Sequence, residues 1–279
     1  MKIYVANDSK PQQGGGFSWI SYFKRGVGES ITENYDEATH FLIAGASMIK
    51  PERAEQAKAD GKKVVLRVDN ILRHSRNQGK GMSRMQRMAQ VADVVIYQCE
   101  WAKTLLDPFL GYPNNYIVYN GVDLNIFKPE GQKIDFASNS VYLYAAASKG
   151  ENKRWDAAYY DYIRVQQSDP NAILLIAGKV STPVMQNNFD FFNQERYHFL
   201  GMKTSPEDMA VVYRSADFFY AVAENDCYSN ALLEAAMCGV EFRRVSMSGG
   251  TPELLKNLGR GREYNGLDRM VQEYKQAIE

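Results

Sequence analysis

Nine consecutive residues carry the densest chemistry in the chain: Asp226-Cys227-Tyr228-Ser229-Asn230-Ala231-Leu232-Leu233-Glu234. They follow a strand-like run, Asp217 to Val222, and precede Gly239, so they read as a loop opening a helix that the glycine ends. Ser229 or Asn230 suits the N-cap, where a short polar side chain satisfies a backbone N–H that the helix leaves unpaired. The leading amides and the positive end of that helix then face the space beyond the strand, a ready site for a diphosphate. Asp226 and Glu234 flank it. Carboxylates repel phosphate, so these two are expected to accept hydrogen bonds from neutral hydroxyl groups of a sugar or ribose. That is the local logic of a nucleotide-sugar site.

A diphosphate leaving group also calls for positive charge. Val141 to Ala147 reads as a strand, and Lys149, Lys153 and Arg154 follow it. Gly14-Gly15-Gly16 follows the first strand-like run, Ile3 to Ala6, and precedes Phe17 to Arg25. Gly15 and Gly16 let the backbone approach a ligand closely at a helix start, although the dinucleotide fingerprint and the Walker lysine pattern are both missing. Asp69 ends the Lys63 to Val68 strand. From Lys62 to Arg87 the chain is rich in Lys and Arg against Asp69 as the single acid. Arg73, Arg76 and Arg84 in that run fit either an acceptor surface for phosphate-rich material or an ordinary solvated helix face.

These residues need a scaffold with many loops at strand ends, and the hydrophobic pattern supplies one. Strand-like runs at Ile3 to Ala6, Thr39 to Ala44, Lys63 to Val68, Asp93 to Tyr97 and Tyr116 to Tyr119 alternate with helical patterns. Val141 to Ala147, Ile173 to Ala177, His198 to Leu200 and Asp217 to Val222 continue the alternation. The fold class expected is α/β, with parallel sheets covered on both faces. Ser205 and Pro206 start one helix, on which Met209, Val212, Tyr213 and Ala216 share a face; Trp155, Ala158, Tyr159, Tyr162 and Ile163 share a face on another. Both stripes read as core, and their aromatics receive no chemical role. Lys128 to Ser140, with Pro129 and Gly131, reads as a linker, which puts a boundary near Gly131.

Composition sets the outer bounds. At 279 residues, 45% apolar and 24% charged, with 33 basic and 33 acidic residues, the chain is a near-neutral globule and not a low-complexity one. Cys99, Cys227 and Cys238 are odd in number and lack metal-ligand spacing, so neither a disulfide framework nor a zinc site is expected. No apolar run approaches the ~18 residues of a membrane span, and Met1 to Ala6 reads as a strand instead of a leader, so a cytoplasmic location is expected. His40, His74 and His198 have no partner that sequence identifies.

Several of these segments together resemble the retaining family-four glycosyltransferases of GT-B type. Asp226 and Glu234 match that family's acidic-x7-Glu signature, continued by Glu234-Ala235-Ala236-Met237-Cys238-Gly239 and by Gly249-Gly250-Thr251-Pro252-Glu253-Leu254. Asn120-Gly121-Val122-Asp123, with Phe127 and Pro129, resembles the family's crossing between domains, and the order of Leu200-Gly201 and Ser205 to Asp208 also fits. The resemblance implies two doubly wound Rossmann-like domains facing across a cleft: residues 1–130 on the acceptor side, 131–262 holding the nucleotide sugar, and a helix in 263–279 packing back on the first domain. It implies that Glu234 binds ribose hydroxyls, that Asp226 meets the transferred sugar, and that the amides near Tyr228, Ser229 and Asn230 lie close to sugar and phosphate. Lys153 and Arg154 resemble the family's basic element, with Lys149 near its arginine, so no metal and no cofactor is expected. Two departures stand out: Asp226 replaces the usual Glu, and the position near Asp69 lacks the family's histidine. The implied activity is transfer of a sugar from a nucleotide-diphosphate sugar to an acceptor hydroxyl with retention, the acceptor being a glycan, a lipid headgroup or modified nucleic acid. A nucleotide-sugar epimerase or hydrolase, and a non-catalytic nucleotide-sugar or nucleic-acid binding module, are the alternatives.

Overall fold

The computed structural model describes residues 1–7, 15–70, 80–111, 114–138, 140–147, 151–179, 196–203 and 205–279. The apolar runs sort into two parallel five-stranded sheets. β1 (Ile3–Ala6), β2 (His40–Ile43), β3 (Lys63–Val68), β4 (Val94–Tyr97) and β5 (Asn115–Ile117) make the first, in chain order. β6 (Val141–Ala146), β7 (Ile173–Gly178), β8 (Tyr197–Gly201), β9 (Phe218–Tyr220) and β10 (Glu241–Arg243) make the second, in the order β10-β9-β6-β7-β8. β10 escaped the sequence reading because three residues, two of them charged, carry no alternation to detect.

The central strands β2, β3, β4, β6 and β7 are buried on both faces, which is why their runs read as continuously apolar, whereas β5, β8 and β10 are partly exposed. On the first sheet Val5, Leu42, Val65, Val94 and Ile96 face one side, and Phe41, Ile43, Val64, Leu66 and Val95 face the other. Helices α2 (Pro51–Ala59), α3 (Lys80–Val91) and α4 (Glu100–Leu110) cover the second of these faces. Helices α1 (Gly15–Val27) and α9 (Leu267–Ile278) pack on each other and cover the first. On the second sheet, α5 (Trp155–Ser168) lays Trp155, Ala158, Tyr159 and Tyr162 over Tyr142, Tyr144, Leu174 and Ile176. Its inner face meets α6 (Pro206–Arg214) and α7 (Asn230–Met237). The fold is α/β, with helices on both faces of both sheets.

The inner faces of the two sheets share one continuous core. The last helix belongs to it: Tyr274 sits against Trp19 at 5.3 Å and Phe23 at 5.2 Å, ring centre to ring centre. Its end is held by Ile278 O against His40 Nε2, 3.1 Å away, and by Glu279 O, which accepts from Lys63 Nζ. Burial depresses the His40 pKa.

Helix α8 (Thr251–Leu258) adds a polar tie across the halves. The Glu253 carboxylate accepts the N–H of Glu100 at 2.8 Å and of Trp101 at 2.7 Å, capping α4, and also the Tyr119 hydroxyl. Glu253→Ala is therefore expected to lower stability by about 1–2 kcal/mol, the usual range for a lost cap. Urea unfolding checks this as a lower midpoint with an unchanged slope.

Candidate functional site

In the second sheet the strand order reverses at β6, whose neighbours β7 and β9 lead away in opposite directions. Connections that leave such a point on opposite faces open a crevice beyond the strand ends. A cavity of about 580 Å³ lies there. The second half contributes the ends of β6, β7 and β9 and the start of α7, and the first half contributes Gly16, Met48, Arg67, Asp69 and Asn120. A smaller cavity of about 230 Å³ shares the walls at Phe17, Ala145 to Ala147, Asn230 and Ala231. It continues between α1 and α6 to Met202, Lys203 and Glu234.

Most of the residues singled out by sequence meet at these cavities. Ser229 is the N-cap of α7, its Oγ accepting from Leu232 N, and Asn230 is the first helical residue, in the wall of both cavities. Asp226 lies in the loop before the helix. Its Oδ2 accepts from Lys153 Nζ at 2.6 Å, so the acid expected at the sugar and the cation expected at the phosphate are one ion pair on the cavity wall. The loop is clamped by the Gly249-Gly250 pair: a β-carbon on Gly250 would lie 1.6 Å from Cys227 O, and Gly249, at φ +67°, would clash with Asp226 O. Tyr228 borders the cavity and is buried, its hydroxyl accepting from Asn257 and its ring 5.3 Å from Tyr119.

From the first half, Gly15 and Gly16 begin α1, and Gly16 reaches the cavity with so little clearance that a β-carbon would lie 2.6 Å from Met48 Cε. Asp69 lines the same cavity with its carboxyl packed on Gly45, 2.7 Å from where a β-carbon would stand.

Other expected residues lie elsewhere. Arg154 adopts φ +49° at the start of α5 and turns away from the cavities, its guanidinium paired with Asp156 at 2.9 Å and with Glu224. The reason is local: two carboxylates flank it, whereas Lys153 next door faces the cleft. Lys149, Arg73 and Arg76 lie outside the described residues. Arg84 sits part-buried on α3 and borders neither cavity. The basic run is largely used internally: Lys62 is buried over the Tyr35 ring and donates to Ala38 O, Arg67 is buried, and Arg87 pairs with Glu52 and Glu55 of α2.

The site also contains groups that the sequence reading passed over. Lys179, just past β7, joins Lys153 in the cavity wall. Arg67 stacks on Trp19 at 4.2 Å and donates to Ala44 O, Gln98 Oε1 and Asn120 Oδ1. Asn120 Nδ2 reaches across to Tyr228 O and Asn230 Oδ1, tying the crossing segment to the start of α7. Position at a strand end was the available signal for Lys179. Tyr213, assigned to the core stripe of α6, has a second part: its hydroxyl donates to Glu234 Oε2 at 2.9 Å. Tyr22 of α1 donates to Glu234 Oε1, also at 2.9 Å. Glu234 is buried, and loss of hydration raises its pKa to about 7 against the pull of the two tyrosines.

Similarity to known proteins lies in shape and not in sequence: no protein-family model and no curated protein matches the chain. Among solved structures, HepE of Anabaena in complex with UDP and glucose superposes with a TM-score of 0.68 at 12% identity, covering 99% of this chain and 95% of that one. The chain has the GT-B fold. Sucrose-phosphate synthase of Thermosynechococcus elongatus gives a TM-score of 0.59 at 12% identity over 86% of this chain and 68% of its own. A UDP-N-acetylglucosamine 2-epimerase of Listeria monocytogenes gives 0.52 at 14% identity over 94% and 69%. Among the described residues no helix is long and apolar enough to cross a membrane, and no cluster of His, Cys, Asp and Glu could hold a metal ion.

Proposed function

We propose that the protein is a glycosyltransferase that binds a nucleotide-diphosphate sugar in the second half and moves its sugar, with retention, to an acceptor hydroxyl presented by the first. One observation carries this reading: a buried carboxylate, a helix N-terminus and two lysines line two cavities that share a wall, and the first half supplies their other side. In this arrangement the nucleoside occupies the smaller cavity with its ribose hydroxyls on Glu234. The diphosphate lies over the N-terminal turn of α7, where amides and helix dipole favour an anion. Lys153 and Lys179 balance the charge that grows on the departing phosphate, the part a metal ion plays in other transferases. The sugar then lies between Asp226 and Asp69, with Asn70 beside it. HepE and the pneumococcal transferase GtfA, solved with UDP and a sugar, share this fold and support a nucleotide sugar as the ligand.

Retention follows when the acceptor oxygen forms its bond on the face from which the diphosphate leaves, its proton passing to the departing phosphate oxygen. The protein supplies orientation and charge stabilisation, and no side chain forms a covalent intermediate. Incubation with nucleotide sugars, with and without a panel of hydroxyl acceptors and followed by proton NMR, tests the reading. The expected product keeps the donor's anomeric configuration and appears only with acceptor. An inverted product sinks the mechanism, and isomerised or hydrolysed sugar without acceptor replaces transfer by epimerase or hydrolase activity.

A further inference from the structure

We propose that Tyr22 is a positioning residue of the donor site: carried on α1 of the first half, it orients the Glu234 carboxylate of the second half, so that the nucleoside subsite is complete only when the halves are packed together. This rests on the donor-site reading above and adds a residue and a coupling to it.

The geometry is specific. Tyr22 and Tyr213 approach from opposite sides, one hydroxyl on each carboxylate oxygen, both at 2.9 Å, with the three side chains buried. A carboxylate offers about four acceptor positions, so one lone pair per oxygen stays available. Glu234 borders the smaller cavity together with Tyr22, Tyr213 and Asn230, so those remaining positions suit a pair of ligand hydroxyls. Two fixed donors also lock the carboxylate plane, which a lone glutamate on a helix cannot do. The tyrosines are themselves held: Phe127 meets the edge of the Tyr22 ring at 6.1 Å and the Tyr213 ring at 6.2 Å. Such a network carries information between the halves, because withdrawing α1 removes one of the two donors and leaves a buried charge under-satisfied.

The charge state follows. Around Glu234 the titratable and charged groups are Tyr22, with Arg25 and Asp123 behind it on the first half, and Tyr213 and Cys238 on the second. Burial raises the glutamate pKa to about 7, while both tyrosine hydrogen bonds lower it. Both tyrosines are pushed far up by burial and by Glu234, so they remain donors throughout the working range. Ligand hydroxyls donate to the ionised form, so affinity is expected to rise as pH passes upward through about 7.

Tyr22→Phe and Tyr213→Phe keep the rings and remove one donor each. Two measurements on the full chain separate the possibilities. The first needs no ligand: the melting temperature of each variant is followed from pH 5 to 9. With Glu234 as the raised group, its stabilising effect is full below the unfolded-state value and fades as pH rises through the folded one. In Tyr22→Phe that fade is expected about one pH unit higher than in the parent, the equivalent of one hydrogen bond to a charge. The second is calorimetric titration with UDP-, GDP-, ADP-, TDP- and CDP-sugars, whose esterified diphosphates do not titrate here. At pH 7 Tyr22→Phe is expected to bind about fivefold more weakly, recovering towards the parent at pH 9 as Glu234 ionises. A simple packing loss lowers melting temperature equally at every pH and leaves both midpoints in place, which overturns the proposal. Failure of the parent to bind any nucleotide sugar, with the ligand-free midpoint still moved, overturns the donor-site reading and the ligand half of this proposal while leaving the tyrosine hold on Glu234 standing.

Discussion

Lys153→Ala is expected to lower turnover of the nucleotide sugar about 10²- to 10³-fold, with a much smaller change in nucleotide affinity. Removing one preorganised group that meets charge developing in the transition state costs about 2.7–4 kcal/mol, and the diphosphate gains charge as its bond to sugar breaks. The substitution has a second effect on the same step. Lys153 Nζ is 2.6 Å from Asp226 Oδ2, and without the ammonium that carboxylate stands unbalanced beside an anionic leaving group. In the proposed site, the pair would explain why an acid is tolerated beside a diphosphate. Single-turnover kinetics of Lys153→Ala, Asp226→Asn and the double variant check this. Because the two groups are in contact, their effects should not add, and the double variant should be less impaired than the product of the two single losses.

Glu234→Ala is expected to weaken nucleotide affinity at least about 10- to 150-fold, the loss from one hydrogen bond to a charged group. It also leaves the Tyr22 and Tyr213 hydroxyls without their acceptor in a buried place. A cost of about 1–3 kcal/mol in stability follows for each, so a weaker fold alone could mimic lost binding. Glu234→Gln separates the two effects, since the amide keeps one carbonyl acceptor and the side chain's volume. Its sign is distinctive. The parent holds a carboxyl with its pKa raised to about 7, and a raised acid contributes stability that is complete below its unfolded value and is lost as pH climbs through the folded one. Glu234→Gln has nothing to ionise, so its melting temperature should change less than the parent's between pH 5 and 8. Its nucleotide affinity should be low and independent of pH across the same span.

Sequence made the scaffold legible wherever local signals and burial agreed. Strand β3 runs from Lys63 to Val68 and α6 is capped by Ser205, both as hydrophobic period and capping residues predict. The segment from Asp226 to Glu234 could be placed as a strand-end loop opening a short helix because its cap and its terminal glycine are sequence-local features. Contacts between distant segments were beyond reach. Nothing in the amphipathic stripe of α6 distinguishes Tyr213, whose ring is core while its hydroxyl serves Glu234, from Val212 beside it. Tyr22 and Glu234 are 212 positions apart, and only the packing of α1 into the shared core brings them together. Arg154 illustrates the opposite error: the type and spacing suited a phosphate ligand, but Asp156 and Glu224 compete for the guanidinium at closer range. The basic run from Lys62 to Arg87 was ambiguous for the same reason, since charge counting cannot reveal that Lys62 and Arg67 are buried beneath aromatic rings.

Calorimetric titration of the purified protein with UDP-, GDP-, ADP-, TDP- and CDP-sugars at pH 8, each repeated on Glu234→Gln, tests the central claim most directly. The account predicts one-site binding by the sugars of one nucleotide, weakened at least tenfold in the variant, because a single carboxylate reads the ribose. Equal binding by parent and variant, or none by the parent at millimolar ligand, would contradict it and leave the connected cavities without a nucleotide-sugar role.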